Sequence, residues 1–138
     1  DELKNKSVGG IIATQLIEHL KKNDLVRLCN LAYEKLEKDG VLILETPNPR
    51  CLSIYTNAFY IDPSHEKPVH PEYVKFLLEE AGFEDIEIVY TTTSKIPYSL
   101  PYLETDAVKN LKEVNDGIYL MSDLVFGSQD YAIIARKN

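Results

Sequence analysis

Hydrophobic positions along the chain fall into short runs that predict strands. Four such runs lie at residues 9–14, 41–45, 86–92 and 131–137. The first two, GGIIAT and VLILE, are apolar at nearly every position, which is typical of buried strands. Between the runs, apolar residues recur at the spacing of a helix that packs one face on a core. The chain therefore alternates strands with helices.

Three helices are predicted between these strands, over residues 23–36, 71–81 and, with a weaker pattern, 105–126. Asn23 or Asp24 is the expected N-cap of the first helix, and Asp39-Gly40 is expected to end it. Pro71 suits the first position of the second helix, and Gly82 its end. The order βαβαβαβ predicts an α/β fold with a parallel or mostly parallel sheet.

The connector between the second strand and the second helix is unusually long. Residues 45–72 read ETPNPRCLSIYTNAFYIDPSHEKPVHPE, whereas such a connection usually takes about two to six residues. Prolines stiffen it, and aromatic and histidine side chains are concentrated in it. Segments that follow strands at the carboxyl edge of an α/β sheet commonly carry function. The composition of this segment therefore predicts a lid over a substrate.

Composition and charge narrow the function classes. The 138 residues carry a formal net charge of -7, with a pI of about 4.9, which argues against binding nucleic acid or an anionic membrane surface. No apolar run approaches the roughly 20 residues of a membrane span. Cys29 and Cys51 form no disulfide framework, and Cys29 is expected to be a buried thiol. These features predict a cytoplasmic protein, and the missing initial Met suggests a start inside a longer gene.

Four segments taken in order carry a family resemblance: GGIIATQLIEHL, KLEKDGVLILETPNP, FYIDPSHEKPVHPEYVKFLLEEAGFEDIEI and LVFGSQDYAIIARK. Together they resemble the C-terminal half of class I S-adenosylmethionine-dependent methyltransferases, nearly from end to end. The subgroup they are most similar to is associated with the synthesis of cell-envelope glycans. The combination of segments is specific, whereas EHL or AGF alone is common.

The resemblance implies an α/β, partial Rossmann-like fold with strand order 3-2-1-4-5-7-6 and an antiparallel last strand. Residues 9–14 correspond to strand four, and residues 131–137 to strand seven. Residues 1–138 then form the C-terminal half of the domain, without strands one to three and without the glycine-rich cofactor loop. Truncation, cleavage and a second chain are all open explanations. An unpaired strand four also predicts association through residues 9–14, with a second copy, a missing segment or another chain.

The resemblance also implies a cofactor side, S-adenosylmethionine being the cofactor of the full-length protein. The predicted cofactor-binding residues follow strand four: Gln15, Leu16, Glu18 and His19. His19 is expected to face the acceptor and is a predicted catalytic residue. The alternative is that Glu18 and His19 only form hydrogen bonds within the local turn.

The long connector supplies the predicted acceptor side. Asn48, Tyr55, Tyr60 and Asp62 are the predicted substrate-binding residues, with Phe59 as a further aromatic. His65 or His70 is expected to orient the acceptor or remove its proton, because histidine titrates near neutral pH. The alternatives are structural: aromatic residues filling a small satellite core, Asn48 forming a turn, and His70 capping a helix.

Two further possibilities concern a metal ion and the segment before the last strand. A metal ion bound by Asp62, His65 and His70 is compatible with the residue types, but their spacing matches no standard zinc pattern, so no metal is predicted. The segment FGSQDYA, which contains Gln129 and Asp130, is expected to be a structural turn into the last strand.

The sequence therefore predicts methyl transfer from S-adenosylmethionine to a hydroxyl of a glycan or small-molecule acceptor. This chain would supply the acceptor side and is expected to be inactive alone, because it lacks the cofactor loop. The alternatives are a non-catalytic binding or assembly module built on a methyltransferase-like fold, and a scaffold that has lost catalysis.

Overall fold

A computed structural model describes residues 2–91 and 100–138. The strands are β1 (Val8–Thr14), β2 (Leu36–Pro47), β3 (Glu84–Tyr90) and β4 (Asp130–Lys137). The helices are α1 (Lys22–Lys35), α2 (Leu52–Thr56), α3 (Pro71–Ala81) and α4 (Leu111–Phe126). Short 3-10 turns lie at Ile17–His19 and Ala58–Ile61.

The four strands of the described residues form one sheet in the order β1-β2-β4-β3. β1 pairs with β2 in parallel, and β4 lies antiparallel between β2 and β3. Three strands therefore run in one direction and the last strand runs in the other. This is the predicted order four-five-seven-six with an antiparallel final strand, so the fold prediction is confirmed.

Apolar side chains from alternate strand positions meet helices α1 and α3 in a single core. Leu42 and Leu44 of β2 pair across the strands with Ile11 and Ala13 of β1. The fully buried members of this core include Leu25, Leu42, Leu44, Val74, Leu78 and Ile133. Because successive strand residues point to opposite faces, this packing fixes the register of the sheet.

The ends of α1 differ from the prediction. The N-cap is Lys21 rather than Asn23 or Asp24, and its side chain makes no capping hydrogen bond. The helix ends at Lys35, and the chain enters β2 at once. The left-handed residue of the following turn is Asp39, with φ of 63°, and not Gly40. Tertiary pairing with β1 therefore begins before the turn residues are reached.

The ends of α3 agree with the prediction. Pro71 is its first residue, and Gly82 ends it with φ of 102°. A β-carbon at Gly82 would lie 3.0 Å from the ring of Tyr33. Both the backbone conformation and the close ring therefore require glycine here.

Two other boundaries shift. β3 ends at Tyr90, so Thr91 lies beyond it, and Thr92 falls outside the described residues. α4 begins at Leu111, six residues later than predicted. The predicted loop at residues 93–104 is described only from residue 100, where the chain has no regular structure up to residue 104.

β1 is not a buried strand, contrary to the expectation from its apolar run. It lies at an edge of the described sheet, and Ile12 is 69% exposed. The side chains on its other face pack on the core. An apolar run predicts a strand well, but it does not show which neighbours cover that strand.

Both cysteines are free and buried; burial was expected only for Cys29. Burial of the Cys29 thiol raises its pKa to about 11. Within residues 2–91 and 100–138, no helix has the length and apolar character needed to cross a bilayer.

Candidate functional site at the carboxyl edge of the sheet

The carboxyl ends of β1, β2 and β3 meet the start of β4 at one edge of the sheet. The backbone N–H of Gln15 donates to the carbonyl of Glu45 at 2.9 Å, and its side-chain amide donates to Asp130 Oδ1 at 3.3 Å. Thr91 N–H donates to the Asp130 carbonyl at 3.1 Å. Ligands of open α/β sheets bind beyond this edge, so the segments that leave it form the candidate site.

Glu18 is the buried acid of the site. Its side chain is 0% exposed, within the 3-10 turn that follows β1. Thr46 Oγ1 at the end of β2 donates to Glu18 Oε2 at 2.8 Å. The other oxygen, Oε1, is buried and has no hydrogen-bond partner among the residues that the structure describes. A buried carboxylate oxygen without a partner is costly, so it points to a role beyond packing.

The long connector is fastened to this turn. Glu66 N–H donates to the Glu18 carbonyl at 2.9 Å. His19 Nδ1 lies 3.2 Å from the carbonyl of Ser64 and 3.0 Å from its Oγ. These contacts bring His19 and the middle of the connector together, as the functional prediction requires.

Asp62 orders the tight turn at the centre of the connector. Its Oδ1 accepts from Ser64 N–H at 2.8 Å and from Ser64 Oγ at 2.6 Å. These two hydrogen bonds, with smaller contributions from the neighbouring His65 and His19, lower the pKa of Asp62. Asp62 Oδ2 lies 4.0 Å from His65 Nε2.

His65 is held from two sides. Its Nδ1 lies 2.6 Å from the carbonyl oxygen of Phe59, and its ring stacks on that of Phe59 with centroids 4.5 Å apart. The ring of His19 lies 4.6 Å from that of His65. The connector therefore places the two histidines side by side.

The partners of the two rings fix their tautomers. A carbonyl oxygen only accepts, so Nδ1 of His65 and Nδ1 of His19 must each carry a proton. Ser64 Oγ donates to Asp62 and is free to accept from His19, which agrees with this assignment. In the neutral form, both Nε2 atoms then carry a lone pair. The site thus holds two potential proton acceptors beside a buried acid.

The far end of the connector is fixed to β4. Tyr131 is fully buried, and its hydroxyl donates to the carbonyl of Val69 at 2.9 Å. Burial, with the neighbouring negative charge of Glu18 as a second cause, raises the pKa of Tyr131 far above its ordinary value. This phenol therefore stays protonated and serves as a constant donor.

A cleft of about 450 Å³ opens beside the connector. Its lining includes Asn48, Arg50, Cys51, Tyr90, Leu120 and Leu124. The guanidinium of Arg50 donates to the hydroxyl of Tyr90 and lies 5.5 Å from the centre of its ring. The cleft thus combines a cation and a phenol with apolar walls from α4.

Asn48 lines the cleft, but its polar atoms are already engaged. Its amide donates to the Ser128 carbonyl at 2.7 Å, and its Oδ1 accepts from Arg50 N–H at 3.1 Å. Its backbone N–H donates to the carbonyl of Gln129 at 2.7 Å. These contacts correspond to the turn-forming alternative, and they tie the connector to the segment before β4.

The aromatic residues of the connector divide into two groups. Phe59 is buried under His65 and fills a satellite core. Tyr55 and Tyr60 are exposed, with ring centroids 6.4 Å apart in an edge-to-face arrangement. Both side chains are therefore accessible to a ligand.

His70 is not among the residues that meet at His19. Its Nδ1 accepts from Glu72 N–H at 3.3 Å, which makes it the N-cap of α3. This is the structural alternative given above. On the cofactor side, Gln15 is occupied by its contact with Asp130, whereas Leu16 is 40% exposed at the edge.

Sequence reasoning missed four residues of this site. Thr46, Ser64, Arg50 and Tyr90 have no distinctive motif, although the D-P-S order of residues 62–64 is a turn signal that places a serine on an aspartate. Tyr90 ends a predicted strand at the correct edge, which was also a usable signal.

No protein-family model matches the chain, and no curated protein matches it. Among solved structures, a SAM-dependent methyltransferase from Archaeoglobus fulgidus superposes with a TM-score of 0.90 and 37% identity, over 98% of this chain and 62% of that one. A SAM-dependent methyltransferase from Thermotoga maritima, described as a possible histamine N-methyltransferase, superposes with a TM-score of 0.63 and 17% identity. The match covers 99% of this chain and 59% of that one. Phosphoethanolamine N-methyltransferase 2 of Haemonchus contortus, in complex with S-adenosyl-L-methionine, superposes with a TM-score of 0.61 and 14% identity. The match covers 99% of this chain and 34% of that one.

The chain thus spans less than two thirds of the length of each of these proteins. Its four-stranded sheet and helices have the class I methyltransferase fold over that part. All three of these structural neighbours are SAM-dependent methyltransferases, and this supports methyl transfer as the general class of activity.

Proposed function

We propose that this chain supplies the acceptor side of an S-adenosylmethionine-dependent methyltransferase. The observation that carries the proposal is the superposition on the archaeal methyltransferase, at a TM-score of 0.90 over 98% of this chain. We further propose that residues 1–138 act as the C-terminal half of the domain and that the reaction takes place in the cytoplasm, where the free thiols of this chain are stable.

The described residues fit one side of a cofactor site. Exposed Leu16 and half-buried His19 border the edge, while Glu18 holds the turn from beneath through Thr46. The chain contains no G-x-G-x-x-G turn to hold the rest of the cofactor. When bound, S-adenosylmethionine supplies an electrophilic methyl group.

His19 and His65 are the proposed catalytic residues of this chain. Each has an Nε2 lone pair in its neutral form, because its proton is on Nδ1, which donates a hydrogen bond to a carbonyl oxygen. We infer that one of them would remove the proton of an acceptor hydroxyl as its oxygen displaces the methyl group from the sulfonium sulfur of the cofactor. The Asp62 carboxylate lies close to this pair, with Oδ2 4.0 Å from His65 Nε2.

The acceptor is proposed to be a hydroxyl of a glycan or a small molecule. Tyr55 and Tyr60 offer exposed ring faces on which a sugar ring can stack, and Asp62 offers a carboxylate acceptor for its hydroxyls. The cleft beside Arg50 and Tyr90 offers further polar contacts. The resemblance to glycan-associated methyltransferases supports this choice of acceptor.

A calorimetric titration with S-adenosylhomocysteine tests the proposal. We expect the full-length protein that contains this chain to bind, and the 138-residue chain alone not to bind, because it lacks the glycine-rich turn. Binding by neither would overturn the enzyme proposal and support the non-catalytic module. Binding by the short chain would show that its own edge is sufficient.

The non-catalytic alternative rests on a separate observation. β1 exposes Ile12 at an edge of the described sheet, and an open strand is a ready site for pairing with another chain. A binding or assembly module would use this edge and would not need the histidine pair.

A further inference from the structure

The carboxylate of Glu18 and the rings of His19 and His65 form a compact group of ligand atoms. One atom from each residue lies within 4.8 Å of the other two. Ligands of a divalent transition metal bind at about 2.0–2.2 Å from the ion, which separates them from one another by about 3–4 Å. A contraction of about 1 Å would therefore bring the three atoms into one coordination sphere.

The outer contacts of these side chains are of the kind that metal-bound residues make. Both histidines donate Nδ1–H to backbone carbonyls, of Ser64 and Phe59, so both Nε2 atoms are left to bind. Metal-bound histidines in proteins usually make this second hydrogen bond. Thr46 holds Glu18 Oε2 in the same way.

An independent observation also points to a ligand. Oε1 of Glu18 is fully buried, and residues 2–91 and 100–138 offer it no hydrogen-bond partner. A cation would supply the missing partner of this oxygen. Asp62 Oδ2, at 4.0 Å from His65 Nε2, adds a second negative charge beside the group.

We propose that Glu18, His19 and His65 bind a divalent transition metal ion. Two imidazole nitrogens and one carboxylate oxygen suit Zn²⁺, Co²⁺, Mn²⁺ or Fe²⁺, whereas Mg²⁺ prefers oxygen ligands alone. Three protein ligands leave at least one coordination position open to water or to an oxygen of an acceptor.

This inference does not depend on the proposed methyl transfer, because the ion needs only these three side chains. The two roles nevertheless compete for the same lone pairs. With an ion bound, Nε2 of His19 and of His65 no longer accept protons, and the ion itself would lower the pKa of a bound hydroxyl.

Titration of the tag-free protein with Zn²⁺ and with Co²⁺ tests the site. We expect one equivalent of either ion to bind, with a visible absorption band from protein-bound Co²⁺, and Mg²⁺ to bind at least tenfold more weakly. His65→Gln should weaken Zn²⁺ binding at least tenfold, and so should Glu18→Gln. Thr46→Val should weaken it by about tenfold or more through the orientation of Glu18.

His70→Gln is the matched control, since His70 is the third and last histidine of the sequence and caps α3. It should leave Zn²⁺ affinity within twofold. Far-UV circular dichroism checks that each variant is folded. If Glu18→Gln does not fold, because Glu18 is buried, the result for His65→Gln decides the test. Absence of Zn²⁺ and Co²⁺ binding by the folded protein, or equal weakening by His70→Gln and His65→Gln, would overturn the proposal.

Discussion

Ser64 controls the ionisation of its neighbour Asp62 through two hydrogen bonds. Removing the hydroxyl by Ser64→Ala should raise the pKa of Asp62 towards its ordinary value, because the side-chain bond from Ser64 is the largest cause of the lowered pKa. Carbon-detected NMR titration of the Asp62 carboxyl measures this change. Ser7→Ala, which removes an exposed bond to the Lys4 carbonyl, is the control and should leave Asp62 unmoved.

The lowered pKa of Asp62 also predicts that the stability of the fold depends on pH. The folded pKa of Asp62 lies below its unfolded value, so its ionisation stabilises the fold above the unfolded pKa. That contribution is lost as the pH falls through the folded pKa, below about pH 4. In urea unfolding at several pH values, the free energy of unfolding of Ser64→Ala should therefore fall less towards acid pH than that of the unchanged protein. An unchanged profile would contradict it.

The histidine pair makes a prediction for turnover in the full-length protein. His19→Ala should lower kcat, and His65→Gln should lower it by about 10²–10⁴-fold if His65 is the base. His70→Gln, compared in the same assay, separates the two bases that the sequence left open. A loss confined to His70→Gln would move the base to the cap of α3, and unchanged rates in all three variants would remove the histidines from the mechanism.

Individual site residues could be predicted from the sequence where they lie in a recognisable motif. It pointed to His19, His65 and Asp62, which lie together in the structure. It could not show that His70 caps a helix rather than joining them, because a cap and a base use the same residue type. Nor could it find Thr46, whose contact with Glu18 spans 28 positions of the chain.

Among the elements, the path of the connector between β2 and α3 accounts for its unusual length. It contains α2 and a 3-10 turn, reaches Glu18 and His19 in its middle, and returns to β4 at Val69. A connection of ordinary length would join the strand to the helix without crossing the edge of the sheet. The lid interpretation of the sequence and this path are compatible.

Two glycines in different elements offer a matched comparison of stability. Gly82→Ala should lower the free energy of unfolding by more than about 1 kcal/mol, because φ is 102° and the Tyr33 ring lies 3.0 Å from the added carbon. Gly117→Ala, inside α4, should raise it by about 0.5–1 kcal/mol, because no described atom outside the helix backbone lies within 4 Å of the added carbon. Urea unfolding of both variants measures the difference, and equal effects would refute the argument.

Element order and type were predictable from periodicity, but the boundaries were not. α1 ends at Lys35 because Leu36 already pairs with Val8 in the sheet. The turn signal at residues 39–40 was real, yet it lies within β2 and ends no helix. Pairing between strands thus overrode a local preference that the sequence shows clearly.

For the whole molecule, the edge strand β1 predicts association. Ile12 is exposed on it, so the 138-residue protein should sediment with a mass that rises with concentration. Ile12→Lys should reduce this association, since a charge on an edge strand opposes pairing. Leu3→Lys, at a position that is also exposed but lies before β1, is the control. A concentration-independent monomer would contradict the prediction.

The pairing of distant segments also governs how the site forms. Tyr131, 62 positions from Val69, anchors the connector from the last strand. Contacts so distant in sequence are slow to form because a long loop must close first. The far end of the connector is therefore fixed only when the end of the chain has joined the sheet. A chain still lacking β4, as during its synthesis, would carry His65 on a connector not yet anchored at Val69, so the site would be completed late in folding.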